Sequence, residues 1–383
     1  MRFPEFTDEW KKEQLGDIAD FSKGAGISKE QLSEKGEPCI LYGELYTKYK
    51  SEVIYDIISK TDIDSTKSVR SQANDVIIPS SGETAEDIAT ARCVLKNNIL
   101  LGGDLNIIRL HKHSGSFMSY QLNGKRKYDI AKVAQGVSVV HLYAEHLKGV
   151  NTYNPCMEEQ EKIARLLALL DERIATQNKI IEDLKKLKSA IIEMEYGNMA
   201  KSISHIGDFI EQTSKRNKDS AILNVLSVSN SQGFIQQSEQ FENRIVASDD
   251  TSNYKIVARN DFAFNPARIN VGSIARLTTF ERGIVSPMYI CFRTKNNLFP
   301  EYLDYFFESK RFFAEIQKRL EGSVRQCLSF EGLCNIPLCI PTVEVQQQIG
   351  KRLSTLAKEI KLEIDFLELL QRQKRFLLHQ MFI

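Results

Sequence analysis

A few short stretches of this 383-residue chain hold side chains whose types could do chemistry, and each fails a simple requirement. His111-x-His113 could ligate a metal, but no Cys, Asp or Glu cluster accompanies the pair. Two surface histidines at a strand end is the better reading. "KGAGIS" (Lys23 to Ser28) has two glycines in a turn, not the G-x-G-x-x-G that opens a helix after a strand. There is no G-x-x-x-x-G-K-[ST] loop to cradle a nucleoside triphosphate and no serine in a nucleophile elbow. Asn265-Pro266-Ala267-Arg268 lacks the second proline and the aromatic with which an amino-methyltransferase would grip its target amine. The seven cysteines form no C-x-x-C pair, so the expectation is reduced thiols, with no disulfide framework and no metal. The chemistry that remains is binding.

Elements that could position binding residues are written twice. "NPCMEEQEKIARLLALLDERI" begins at Asn154 and "IPLCIPTVEVQQQIGKRLSTLAKEI" at Ile336. An offset of 186 residues pairs Pro155 with Pro341, Glu158 with Glu344 and Gln160 with Gln346. In the first copy Ile163, Leu167, Leu170, Ile174, Ile181, Leu184 and Ile191 recur with the heptad spacing of a coiled-coil seam. In the second, Ile349, Leu353, Leu356, Ile360, Leu367, Leu370 and Leu377 do the same. Polar residues interrupt both seams at equivalent places, Gln177 with Glu363 and Lys188 with Lys374. Proline just before the first turn and acidic residues within it suit a helix N-terminus. The pattern predicts two helices of roughly 36 residues, about 54 Å long, packed antiparallel on each other.

The repeat continues upstream. "VAQGVSVVHLYAEHLKGVNTYNP" matches "RLEGSVRQCLSFEGLCNIPLCIP", with Gly136 on Gly322, Leu142 on Leu328 and Glu145 on Glu331. Asp75 in "NDVIIPSSG" meets Asp261 in "NDFAFNPARI", and "LGDIAD" resembles "IGDFIE". Between these anchors the halves share little. Strand-like runs (75–78, 106–110, 289–293) mix with helix-like stretches such as 300–320, without regular βαβ alternation. The expected architecture is α+β. Two globular domains (1–154 and 197–340) are each followed by a long helix (155–196 and 341–383), and the helices form an antiparallel coiled coil. Fifty-one Lys and Arg against 50 Asp and Glu exclude a chain coated in basic charge but not a local phosphate-binding face. A polar, acidic N-terminus and the lack of any run near the roughly 20 apolar residues of a membrane span point to a soluble cytoplasmic protein.

These features together resemble the DNA-specificity subunit of type I restriction–modification systems. "FPEFTDEWKKEQLGDIADFSKG" looks like that family's usual start and "RQKRFLLHQMFI" like its usual end. "NDVIIPSSGETAEDIATARC" with "LLGGDLNIIRL" is similar to one type of target-recognition domain. "FAFNPARINVGSIARL" with "GIVSPMYICFRT" is similar to another. The two helices match each other in pattern more than in letters, so partner contacts of one need not transfer to the other. The resemblance implies that each domain reads one half of a split double-stranded DNA target and that the helices set the spacer. It implies that two methyltransferase subunits dock on the helices, and restriction subunits through them. It also implies that the chain itself is not an enzyme and carries no cofactor or metal. S-adenosylmethionine, ATP and Mg²⁺ then belong to the partners.

Base readout needs polar side chains on loops held by a rigid frame. In the first domain the candidates are Lys23, Ser28, Tyr42, Tyr46 and Lys48, followed by Ser80, Ser81 and Glu83 in the "PSSGET" turn. In the second they are Lys215, Arg216, Arg268, Asn270, Arg325 and Gln326. Leu166, Leu169 and Leu187 lie off the seam and are expected to need a partner's cover or the adjoining domains. The alternatives are a non-DNA coiled-coil scaffold joining two protein-binding domains, or a catalytic chain with a fused recognition region. The missing motifs weigh against the second. Replacing Gln177 and Glu363 together by Leu is expected to raise the unfolding midpoint and broaden the pattern of inter-helix crosslinks, because polar seam residues give up stability for register.

Overall fold

A computed structural model of the protein describes residues 2–63, 66, 68–136, 139–197, 204–230, 232–240, 250–322 and 326–382. The chain forms two compact units, Met1–Lys179 with Asp365–Ile383, and Ile180–Ile364. The long helices Met157–Gly197 and Val343–Gln380, of 41 and 38 residues, each contribute to both units.

In the first unit a five-stranded sheet runs in the order Ala19–Lys23, Leu105–Leu110, Asp75–Pro79, Arg92–Val94 and Val53–Ile54. Its pairings are antiparallel except the last. The central strand, DVIIP, is buried along its whole length because the sheet is covered on both faces. Val76 and Ile78 join Ile108 and Leu110 in a core with Phe117 and Leu122 of helix Gly115–Asn123. The alternate residues Ile77, Leu105 and Ile107 pack with Ile40 and Leu101 of a second five-stranded sheet. Period-two alternation thus serves two cores, each buried aliphatic contributing about 1.5–3 kcal/mol.

The second unit follows the same plan with aromatics. Phe262 and Phe264 of strand Phe262–Phe264 face the core that holds Phe292, Tyr302, Phe306 and Phe312. Ala263 between them turns to the other core, with Leu226, Val257 and Val285. The helix-like stretch over 300–320 forms two helices, Pro300–Phe306 and Lys310–Gln317. The break falls at Ser309, whose hydroxyl accepts the Phe312 amide and restarts the helix as its N-cap.

The sequence repeat corresponds to repeated joints. Gln160, almost fully buried, donates its amide to the Pro155 carbonyl (2.8 Å) and accepts the Ser114 backbone N–H (3.0 Å). Gln346, fully buried, donates to Pro341 (2.9 Å) and accepts from Phe299 (2.8 Å). Each glutamine thereby ties the first turn of a long helix to the start of a helix in its own domain. Asn74 and Asn260 both adopt positive φ, and the Asp after each turns its carboxylate back onto the amide three residues earlier, Gln72 and Ala258. Arg109 then clasps Asp75 through two hydrogen bonds of 2.9 and 2.8 Å, and Arg293 approaches Asp261 at 3.2 Å. Gly16 and Gly207 share a different constraint. A Cβ on the first would sit 2.9 Å from the Lys148 Cβ, and on the second 2.7 Å from the Cys334 Cβ. Only glycine lets the opening turn of each domain approach its last short helix so closely.

Within the first unit the long helices run antiparallel. Ile163 and Leu167 share a core with Met381 and Phe382, and further along Arg173 lies over the Phe366 ring at 5.3 Å. In the second unit Ile192 and Tyr196 share a core with Ile349 and Leu353, and Arg352 meets Glu195 at 3.3 Å. Every seam residue read from the sequence is buried or half-buried, as is Gln177, while Leu169 and Leu187 are exposed. The lysine interruptions have another use. Lys374 bonds both Glu52 of the first domain and Asp171 of the first helix, the latter at 2.5 Å. Asp171 also accepts the Tyr120 hydroxyl (2.8 Å) and the Ser51 hydroxyl (3.0 Å). Lys188 reaches Glu308 of the second domain at 2.7 Å and lies over the Tyr305 ring. Each lysine break in the seam is a tether to a domain.

The tethers differ in burial, and so in worth. Lys374→Met takes from two buried carboxylates the cation that bonds them both and is expected to cost about 3 kcal/mol in urea unfolding. Lys188→Met loses a pair whose glutamate is half exposed and should cost about 0–1 kcal/mol. Burial already raises the Glu52 carboxyl above its ordinary range, against the pull of Lys374. Without the lysine that opposing pull is lost, so the folded state binds the Glu52 proton more tightly than the unfolded chain does. The deficit of Lys374→Met should therefore shrink as pH falls from about 7 towards 5.

Candidate nucleic-acid interface

In the first domain the glycine-rich loop is pinned by backbone bonds from Gly24 to Leu105 and from Ala25 to Leu101, each 3.0 Å. A side chain at Gly24 would collide with the Gly102 carbonyl at 1.9 Å, so the loop lies flush on the strands behind it. Ser28 is exposed and starts the 3-10 turn Lys29–Gln31, its own amide held by the Gln31 side chain at 2.8 Å. This turn and the segment Leu41–Lys48 wall a cleft of about 790 Å³ that also takes in Gly103 and Asp104. Tyr42 is exposed on that wall, whereas Lys48 is committed. Its ammonium bonds Glu44 at 2.7 Å and Ser59 at 2.6 Å, neutralising a carboxylate that is itself buried. The Tyr46 ring is half-buried beside Gly82, and burial pushes its phenol well above the usual range.

A second group assembles around the "PSSGET" turn. Strand Ser81–Gly82 pairs with Val140–His141, and the buried Ser80 takes the Leu142 N–H on its carbonyl at 3.0 Å while its own N–H bonds Asp104 at 2.7 Å. Glu83 stays exposed at the turn. Asn106, fully buried and in register with Lys23, donates to the Leu142 carbonyl at 2.9 Å. Lys23 ends its strand with its ammonium 5.9 Å above the Tyr143 ring, which stacks on His141. The fold therefore brings Lys23, Ser80 and Ser81 together, and adds His141 and Tyr143. Those two were missed because the repeat made their stretch look like scaffold; the signal was an aromatic and an imidazole where the second copy has Ser329 and Cys327.

In the second domain Lys215 and Arg216 are exposed on a cleft of about 710 Å³ shared with Lys218, Arg282 and Asp219. Buried Asn217 fixes this loop, bonding the Ile222 carbonyl (2.9 Å) and amide (3.1 Å) through its side chain. Arg216 is steadied by Asn253 at 2.8 Å. Lys218 and Arg282 could not be picked out from the sequence. Arg282 comes from a strand start 64 residues beyond Lys218, brought beside this loop by strand Lys255–Ala258 and by Asn224, whose side chain donates to the Arg282 carbonyl at 3.2 Å. Arg268 and Asn270 are exposed on the turn after Asn265, whose side chain caps the Ala267 amide at 3.1 Å. The Pro266 carbonyl accepts the Leu328 N–H at 3.0 Å, the counterpart of the Ser80–Leu142 bond. Exposed Gln326 thus belongs to the same group as Arg268; Arg325 lies outside the described residues.

Of the histidine pair, expected as two surface residues at a strand end, only His111 is exposed. His111 sits 3.2 Å from Asp20, but His113 is half-buried, not a surface residue, with Nδ1 3.0 Å from the Gln160 amide. Burial lowers the His113 pKa, which suits a neutral ring accepting that amide. Among the described residues no group of three or more His, Cys, Asp or Glu could hold a metal, and no helix is long and apolar enough to cross a membrane.

What the arrangement can do is hold two separate sets of hydrogen-bonding and cationic side chains on rigid turns, one set per domain. Solved structures share the fold. A type I restriction–modification S subunit from M. genitalium superposes with a TM-score of 0.64 at 15% identity, covering 100% of this chain and 99% of that one. A chain from a study of type I R-M complex assembly and conformational transition gives 0.56 at 12% identity, covering 98% and 97%. In sequence, the chain is 22% identical to the type I restriction enzyme MjaVIII specificity subunit of Methanocaldococcus jannaschii, across 98% of this chain and 92% of the relative. The family model described as type I restriction modification DNA specificity domain matches twice, over residues 7–186 and 202–372. With nearly its whole length so matched, the chain belongs to the type I restriction–modification DNA specificity family, with one specificity domain in each half.

Proposed function

We propose that this chain reads a bipartite DNA sequence, one half per globular domain, and docks two methyltransferase subunits through its long helices. Restriction subunits join through those methyltransferases, in the cytoplasm. The chain itself does no catalysis, and S-adenosylmethionine, ATP and Mg²⁺ are bound by the partners. The observation that carries the reading is the pairing of a repeated frame with unrepeated surface residues. Gln160 and Gln346, Asp75 and Asp261, and Gly16 and Gly207 make matching joints, while the exposed turns carry different side chains in each domain. That is what two readers of different half-sites on one scaffold require. At about 1–3 kcal/mol per base pair, six or seven positions across two domains discriminate well where one domain would not. The exposed Leu169, Leu187 and Met194 supply apolar surface for a docked subunit.

Mapping of methylated adenines in the native host, with and without the gene, tests this directly. Deletion should erase one bipartite motif, and an unchanged methylome would refute the reading. The basic cleft of the second domain suits phosphates, since the long cations Lys215, Arg216, Lys218 and Arg282 surround it. Replacing Lys215 and Arg216 by Ala in the methyltransferase complex should weaken binding equally for all targets. The slope of log K against log salt should fall by up to about 2. A changed methylation motif would instead make them base readers.

A further inference from the structure

We infer that His141 is a sequence-reading residue of the first domain, its imidazole contacting a base edge of one half-site. This rests on the reading that the domain contacts DNA, and goes beyond it by assigning the contact. The first argument is pre-organisation. A discriminating contact must be held in place before the target arrives, because ordering it on binding erodes the difference between right and wrong bases. The His141 backbone is locked on both sides. Its N–H bonds the Gln135 carbonyl at 2.7 Å, its carbonyl takes the Gln135 N–H at 2.9 Å, and it pairs in register with Ser81. The next residue, Leu142, is fully buried and fastened to Ser80 and Asn106. The ring itself is stacked on Tyr143, with centroids 6.2 Å apart and planes inclined by 28°.

The second argument is availability. Despite that support His141 is exposed, and among the described residues no hydrogen bond takes up its ring nitrogens. Lys48, by contrast, spends its donors on Glu44 and Ser59. Ser80 is buried, and Lys23 projects as a flexible cation over Tyr143, a geometry suited to a phosphate beside the base contact. The third argument is the internal repeat. The frame that holds His141 recurs in the second domain. Glu321 bridges Cys327 as Gln135 bridges His141, Leu328 bonds Pro266 as Leu142 bonds Ser80, and Gly136 and Gly322 both take positive φ. On this shared frame the histidine is replaced by Cys327, half-buried. The support repeats and the presented group changes, as a reader of a different half-site demands.

The test is methylation mapping with the full complex in the native host, comparing wild type, His141→Ala and His141→Gln. Alanine should relax one position of one half-site, with discrimination there falling about tenfold or more, and leave the other half-site and the spacer unchanged. Glutamine preserves a hydrogen-bonding tip of different geometry and should shift the preferred base at that same position. If alanine disrupts folding and methylation stops, the glutamine variant still decides. A motif unchanged in that variant, or occupancy lowered evenly over all sites, overturns the assignment and makes His141 a packing or phosphate contact. Absence of any bipartite motif in wild type would instead remove the functional reading beneath it.

Discussion

The joint on which everything else depends is a buried side-chain amide. A glutamine in the first turn of each long helix satisfies a proline carbonyl behind it and a backbone N–H of the adjoining domain, and it does so out of contact with water. An unpaired amide there would cost about 1–3 kcal/mol, so the bond is made with the helix at one height and one rotation or not at all. The seam follows from that rotation. With Gln160 inward, Ile163 and Leu167 must face the core, and with Gln346 inward, Ile349 and Leu353 must do so. The proline, the glutamine and the apolar stripe are therefore one device, and its repetition explains why the chain spells it twice.

Much of this is legible in the sequence, for identifiable physical reasons. Helical periodicity is a local property, so both long helices and their buried stripes could be read from spacing alone. The offset between copies tied together residues that are distant in sequence, which is how Asp75 with Asp261 and Gly136 with Gly322 were found. What remained hidden was the role of each match. That Asp75 binds an arginine across a strand, or that Gly16 makes room for Lys148, depends on which strand lies next to which, and nothing local encodes that. The stretch 300–320 reads as helical and is so, but its division into two helices rests on one serine hydroxyl, which composition does not reveal.

The candidate surface was less legible than the frame. Polar residues in turns were easy to nominate, yet Lys48 proves to be the counter-charge of a buried glutamate and Ser80 an internal strut. His141 and Tyr143 escaped notice because they lie within a repeated segment, where sequence similarity suggests support rather than contact. Seam lysines were misread in the opposite direction. Lys374 and Lys188 look like interruptions of helix pairing, and instead each fastens a domain to the helix.

The first unit is closed by the far end of the chain, and this bears on how the protein is made. Phe382 packs within 5.4 Å of Phe117 and 6.4 Å of Trp10, measured between ring centroids, and Met381 joins the same core. The second unit, by contrast, is one continuous stretch, Ile180–Ile364. On a ribosome adding about 5–20 residues per second, the segment that completes the first core follows the rest of that unit by about 10–40 s. The domain synthesised first is thus the last to be finished, and during that interval Trp10 and Phe117 lack one aromatic wall.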